Sequence, residues 1–225
     1  MYLIKPIYNK FTDTMDTKPD ALIFDMDGTL WDAVDTYAES WNDYFRAKDV
    51  NKTYTKSDLN SYMGLEQHHY LEATLPEYPV EERNTIYNDV INLQYKRIEA
   101  YGGILYDGVV DGLARLSEKY KLFIVSNCPE HTITYFMKWA KIGEYITDTM
   151  AHGVNFKPKH ENIKYLIKKH DLKRPLYIGD TESDAKQSSQ VPLPFVFVEY
   201  GFGRANDFSK KFGSFNELTD YYLSI

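Results

Sequence analysis

The chain has 225 residues, long enough for one large domain or a core domain with a smaller insert. A hydrophobic content of 43%, with 20 Tyr and 12 Phe, excludes an intrinsically disordered chain. A net charge of −7 without any basic block argues against a nucleic-acid or anionic-membrane partner. Residues 1–18 are polar and broken by prolines at positions 6 and 19, which reads as a loose lead-in. Ala21–Asp25 follows as a short, continuously apolar strand of the kind buried on both faces, ending in a carboxylate. From about Ala33 to Tyr101 the spacing is helical. Trp41, Tyr44 and Phe45 fall on one helix face, and Ile86, Val90, Leu93 and Ile98 mark another helix that ends near Gly102-Gly103.

After the double glycine, helix and strand alternate. Gly108–Tyr120 reads as a helix, Leu122–Ser126 as a buried strand, and Pro129–Lys141 as a helix with proline in its first turn. Ile146–Met150 is a weaker strand, Lys159–His170 a helix, Leu176–Gly179 a strand, Thr181–Ser189 a helix, and Phe195–Glu199 the last clear strand. This order predicts a Rossmann-like three-layer α/β/α core with a parallel sheet, carrying an inserted all-helical cap domain. The expected division is residues 1–18 as lead-in, residues 19–32 and 103–225 as catalytic core, and residues 33–102 as cap.

Cys128, the sole cysteine, excludes an intramolecular disulfide and a Cys-rich zinc site. No segment reads as a signal peptide or a membrane span, so a soluble, cytoplasmic protein is expected.

In open parallel sheets ligands sit beyond the carboxyl ends of the strands. The residues at those ends are Asp25-Met26-Asp27, Ser126-Asn127, Gly179-Asp180 and Glu199-Tyr200-Gly201, with Asp184 one helical turn beyond Asp180. Each has a plainer reading when taken alone. Gly-Asp-Thr can be a strand exit and helix N-cap, Asp184 a first-turn carboxylate, and Ser126 and Asn127 turn residues. Lys157 competes with Lys159 in F-K-P-K-H, and His68-His69 point in different directions on a helix, against a shared metal.

Taken in order, D-M-D-G-T-L, V-S-N, K-P and G-D-T-E-S-D resemble the four motifs of the haloacid dehalogenase-like (HAD) superfamily of hydrolases. The resemblance runs from Ala21 to about Gly203. The helical insert, Y-D-G-V-V-D-G-L-A-R-L and V-E-Y-G-F-G look like the phosphoglycolate-phosphatase-like branch with a helical cap.

The resemblance implies a phosphoric monoester hydrolase acting on a small phosphorylated metabolite. It assigns Asp25 as nucleophile, forming an aspartyl-phosphate, and Asp27 as general acid/base. Converging carboxylates raise one another's pKa unless a cation compensates, and all-oxygen ligation suits Mg²⁺. By the family pattern the ligands are the Asp25 carboxylate, the Asp27 carbonyl and the Asp180 carboxylate, with Asp184 supporting from behind. Lys157 would offset charge on the phosphate and on Asp25. The Ser126 hydroxyl and the Asn127 amide would hold phosphoryl oxygens.

The cap loop Tyr62–His69 is where this branch reads the leaving group, which singles out Gly64, Gln67 and His68. Arg and Lys are absent from Asn60 to Val80, so a second anionic group has no receptor in this loop, which weakens phosphoglycolate as substrate. Lys56, Arg83 or Arg97 folding inward would supply one. Asp32 is expected at the exit to the cap, capping a helix or fixing the hinge. The alternatives are a phosphomutase resembling β-phosphoglucomutase and a non-catalytic phosphate-binding regulatory protein. Either a monomer or a homodimer is compatible with these features.

Overall fold

The computed structural model describes residues 18–225, so the expected lead-in lies outside the described residues apart from Lys18. β1 (Ala21–Phe24) is apolar at every position and wholly buried. Two short strands, β2 (Trp31–Asp32) and β3 (Ile104–Leu105), pair antiparallel where the chain leaves the core and returns to it. Between them lie α1 (Val34–Ala47), α2 (Lys56–Asn60), α3 (Gln67–Thr74) and α4 (Val80–Tyr101). These four helices form the inserted cap, and α1 packs along α4. The predicted stripes account for that packing, since Trp41, Phe45, Ile86, Val90 and Ile98 are all buried.

The core then follows as α5 (Val109–Ser117), β4 (Lys121–Ser126), α6 (Thr132–Ala140), β5 (Asp148–Ala151), α7 (His152–Asn155), α8 (Lys159–Lys169), β6 (Pro175–Gly179), α9 (Glu182–Ser188), β7 (Phe195–Val198), β8 (Lys210–Phe212) and α10 (Phe215–Ser224). The main sheet has the order β5-β4-β1-β6-β7-β8 with every pairing parallel. Alternate residues of each strand feed two separate cores. Leu22, Phe24, Ile124, Ile178 and Val196 face α5, α10 and the cap side, while Ile23, Phe123, Val125, Tyr177 and Phe197 face α8 and α9. This is the predicted three-layer α/β/α arrangement.

Three features depart from the expectation. The weak strand lies two residues later, at Asp148–Ala151, because a 3₁₀ turn occupies Gly143–Tyr145. Phe195–Val198 is not the last strand, since the short charged strand β8 extends the sheet and α10 closes the layer on α5. The insert contains two short helices, α2 and α3, besides the two long ones.

β1 lies between β4 and β6, so its carboxyl end opens beside the ends of both neighbours. No described helix is long and apolar enough to cross a membrane.

Candidate active site

β1 ends at Phe24, and the backbone N–H of the next residue, Asp25, still donates to Ile178 O in β6 at 2.8 Å. The chain then folds back sharply. Leu30 N donates to Met26 O at 2.9 Å, and Gly28 N donates to Trp31 O at 2.9 Å. Gly28 makes this loop possible in two ways. Its φ of +84° is costly for any side chain, and a Cβ there would lie 2.2 Å from Asp180 Oδ2.

Asp25, Asp180 and Asp184 are all buried, and each offers a carboxylate oxygen within 4.8 Å of the others. Their second contacts hold them in place. Asp180 accepts from Phe202 N at 2.8 Å and from Thr29 Oγ1 at 3.3 Å. Asp184 sits in a reciprocal capping box with Thr181 at the start of α9, and its other oxygen accepts from Tyr177 Oη at 3.1 Å.

The counter-charge comes from Lys159. Its ammonium lies 2.7 Å from Asp184 Oδ1 and 3.0 Å from Asp25 Oδ1, and 5.6 Å from the centre of the Tyr177 ring. The expectation for Lys157 is therefore corrected. Lys157 stands in the loop before Pro158 with its side chain exposed, and only its backbone is engaged, with N donating to Asn155 Oδ1. Lys159 opens α8 and shares a buried face with Asn162, Ile163 and Leu166. The helical period starting at Lys159 was the signal that separates the two lysines.

Burial is the main force on these groups. It raises the Asp25 carboxyl well above its ordinary value; Lys159 opposes this, and the neighbouring Asp184, Asp180 and Asp27 add to it. Asp180 is pushed up to about 7 by burial and then by Asp184. Burial pushes Asp27 up to about 6, against the Tyr37 hydroxyl that donates to it at 2.8 Å. Burial alone would lower the Lys159 ammonium, but Asp184 and Asp25 outweigh it and hold its pKa above the usual lysine value.

Three carboxylates against one ammonium leave two negative charges, which one divalent cation would cancel. The donor set is all oxygen, and the one ammonium beside it, Lys159, is shared between Asp25 and Asp184. These are the properties that a hard cation such as Mg²⁺ fits.

Ser126 is buried at the end of β4, and Asn127 follows it. The Asn127 side chain reaches across to the cap, where Nδ2 donates to Gly64 O at 2.8 Å. Beyond this contact a cleft of about 460 Å³, counting its open mouth, lies between cap and core. Tyr37, Gly64, Gln67, Gln94 and Asn127 are among its lining residues. His68, also expected there, is exposed and stays outside the lining, with its ring against His69. Gln94 on α4 and Tyr37 on α1 were not anticipated as cleft residues; the buried helix faces were legible, but not which positions meet the cleft.

Cys128 lines the same cleft, and burial pushes its thiol up to about 12, which suits an inert side chain. Asp32 caps the chain at the cap entrance, accepting from Val34 N at 3.1 Å and pairing with Lys56.

A phosphoglycolate phosphatase of Rhodobacter capsulatus is 29% identical over 212 residues, covering 88% of this chain and 94% of its own length. One from Colwellia psychrerythraea is 25% identical, with 88% and 95% covered. The crystal structure of a predicted phosphoglycolate phosphatase from Haemophilus somnus has a TM-score of 0.79 at 20% identity, covering 92% of this chain and 99% of its own, a likeness of fold. The family model for haloacid dehalogenase-like hydrolases matches residues 22–198, a span that carries Asp25, Asp27, Ser126, Lys159, Asp180 and Asp184. The chain belongs to the haloacid dehalogenase-like hydrolase family.

Proposed function

We propose that this HAD-like phosphatase hydrolyses a small phosphorylated metabolite in two steps through an aspartyl-phosphate on Asp25, with Mg²⁺ as cofactor. The observation that supports it best is the buried Asp25 at the end of the central strand, facing Asp180, Asp184 and Lys159. In the first step an Asp25 carboxylate oxygen attacks phosphorus and the ester P–O bond breaks. Asp27 gives its proton to the leaving alkoxide; a pKa raised to about 6 leaves part of the population protonated near neutrality. In the second step water attacks the phosphorus, Asp27 takes its proton, and the Asp25–phosphorus bond breaks to release phosphate.

The Asp25 and Asp180 carboxylates and the Asp27 carbonyl would hold Mg²⁺, with Asp184 behind them. When bound, the ion supplies positive charge to the phosphoryl oxygens and keeps Asp25 ionised. Lys159 holds Asp25 and Asp184 in register and offsets their charge. In this reading the Ser126 hydroxyl and the Asn127 N–H, at the end of β4, would hold phosphoryl oxygens. The cap contributes Tyr37, which orients the Asp27 carboxyl, and shields the site from bulk water.

The test is turnover of p-nitrophenyl phosphate with Mg²⁺, with EDTA, and by the Asp25→Asn variant. The expected result is activity in the first case only. Persistence in EDTA or in Asp25→Asn would overturn the mechanism.

A further inference from the structure

Tyr37 lines the cleft between cap and core and donates to Asp27, which sets this cleft beside the acid/base of the proposed reaction, on the side where a leaving group would lie. Among the described residues its lining contains no Lys, Arg or His. The cap has seven Lys and Arg residues, and each is committed or faces away; His68 and His69 stand outside the lining. Lys56 pairs with Asp32 and Asp35. Arg83 donates to Tyr78 O at 2.7 Å and Pro76 O at 3.1 Å. Arg97 and Arg46 share Asp43 and Glu39. Lys52 is held by Thr74 O at 2.9 Å and Glu77 at 2.6 Å. Lys48 is exposed beside Tyr44, and Lys96 is exposed two positions from Gln94, on the far side of α4.

What the cleft offers instead is neutral hydrogen bonding. Gln94 is 6% exposed and lines the cleft with a neutral amide that can both donate and accept. Because Asn127 Nδ2 donates to Gly64 O, the orientation of that amide is set, and Asn127 Oδ1 is an acceptor without a donor. A carboxylate, which only accepts, would meet this oxygen as acceptor against acceptor. A hydroxyl can donate to it. Burying a carboxylate here would leave its charge uncompensated.

We infer that the cleft takes an uncharged, hydroxyl-bearing leaving group, so the substrate is the phosphate monoester of a neutral alcohol and not of an acid. This rests on the phosphatase reading above, and it parts this chain from the substrate named for its relatives.

The matched pair 2-hydroxyethyl phosphate and 2-phosphoglycolate tests it, since the two differ by a terminal CH₂OH against COO⁻. With Mg²⁺, kcat/KM is expected to favour the hydroxyethyl ester by about 100-fold. Gln94→Lys places a cation in the cleft and should reverse or erase that preference; Gln67→Lys is the second variant should the first fail to fold. Equal or better turnover of 2-phosphoglycolate by the unaltered protein would overturn the inference while leaving the phosphatase reading intact. If neither ester nor p-nitrophenyl phosphate is turned over, the phosphatase reading fails. Calorimetric binding of the two esters to Asp25→Asn protein with Mg²⁺ then decides the cleft separately. Tighter binding of the hydroxyethyl ester supports the inference, and equal or tighter 2-phosphoglycolate binding overturns it.

Discussion

Replacing Lys159 by methionine removes the ammonium and keeps most of the side-chain length. The group is 2% exposed and lies between two buried carboxylates, at 2.7 Å and 3.0 Å. Breaking a buried pair from one side costs about 3–5 kcal/mol, because the remaining charge is stranded. For a urea m-value of about 2–3 kcal/mol/M this moves the unfolding midpoint down by on the order of 1–2 M. The loss should be largest in EDTA, where nothing else offsets Asp25 and Asp184.

Removing a preorganised charge beside the reacting group should also lower kcat by about 10²–10³. Lys157→Met is the control. Its side chain is exposed, and surface changes of this kind stay within about 0.5 kcal/mol. Urea unfolding with and without Mg²⁺, together with kcat/KM on p-nitrophenyl phosphate, measures both effects. A catalytic loss in Lys157→Met with Lys159→Met near wild type would refute the assignment of the site lysine.

Asp27→Asn should retain the fold and substrate binding while kcat falls by about 10²–10⁴, and quench-flow should detect slowed phosphoenzyme breakdown; unchanged kcat would remove Asp27 from the proton transfers. Gly28→Ala forces a side chain into φ +84° and against Asp180, so it should destabilise by about 1–3 kcal/mol and abolish the rise in Tm on adding Mg²⁺, which thermal unfolding reads directly. Burial tends to raise Asp148, but Lys169 and His170 outweigh it and hold the carboxyl below its ordinary range. Its stabilisation is therefore present above the unfolded pKa of about 3.9 and is lost as pH falls through the folded value. Asp148→Asn should accordingly lower Tm at neutral pH and match wild type near about pH 2; a deficit that is constant with pH would contradict this.

The parts of the fold that were legible in the sequence are those where one physical signal dominates. A-L-I-F and L-F-I-V are apolar at every position because both faces of those strands are covered, and no helix pattern competes. β8 escaped because K-K-F is three residues long and buries only Phe212, too little for a period to register. α10 was within reach, since Ser214 and Glu217 have the capping spacing and Ser214 Oγ accepts from Glu217 N at 3.1 Å.

At the site, Asp25, Asp180 and Asp184 were legible as strand-end and first-turn carboxylates. For the lysine, the Pro158 neighbour and the family spacing both point to Lys157, whereas the phase of α8 points to Lys159, which is the one beside Asp25. Tyr37, Tyr177 and Phe202 N act on the site through contacts between separate elements, which the pattern within one element does not encode.

The cost of this arrangement bears on how the cap and the chemistry are linked. A buried cluster of carboxylates is rarely a gain in stability, and apolar replacements of similar volume often stabilise a fold. Here the surrounding groups hold the charges in place without cancelling them, as Thr29, Tyr177, Thr181 and Phe202 N all donate to Asp180 or Asp184. The one donor to the Asp27 carboxylate from the cap is Tyr37, on the first cap helix. A second bond from core to cap, Asn127 to Gly64, closes the same edge of the cleft. Any opening of the cap that separates these pairs also frees the Asp27 carboxyl from its orienting hydroxyl and opens it to water. In the proposed mechanism Asp27 would then be fully positioned as acid/base only while these contacts hold, which would tie recognition of the leaving group to the proton transfer it needs.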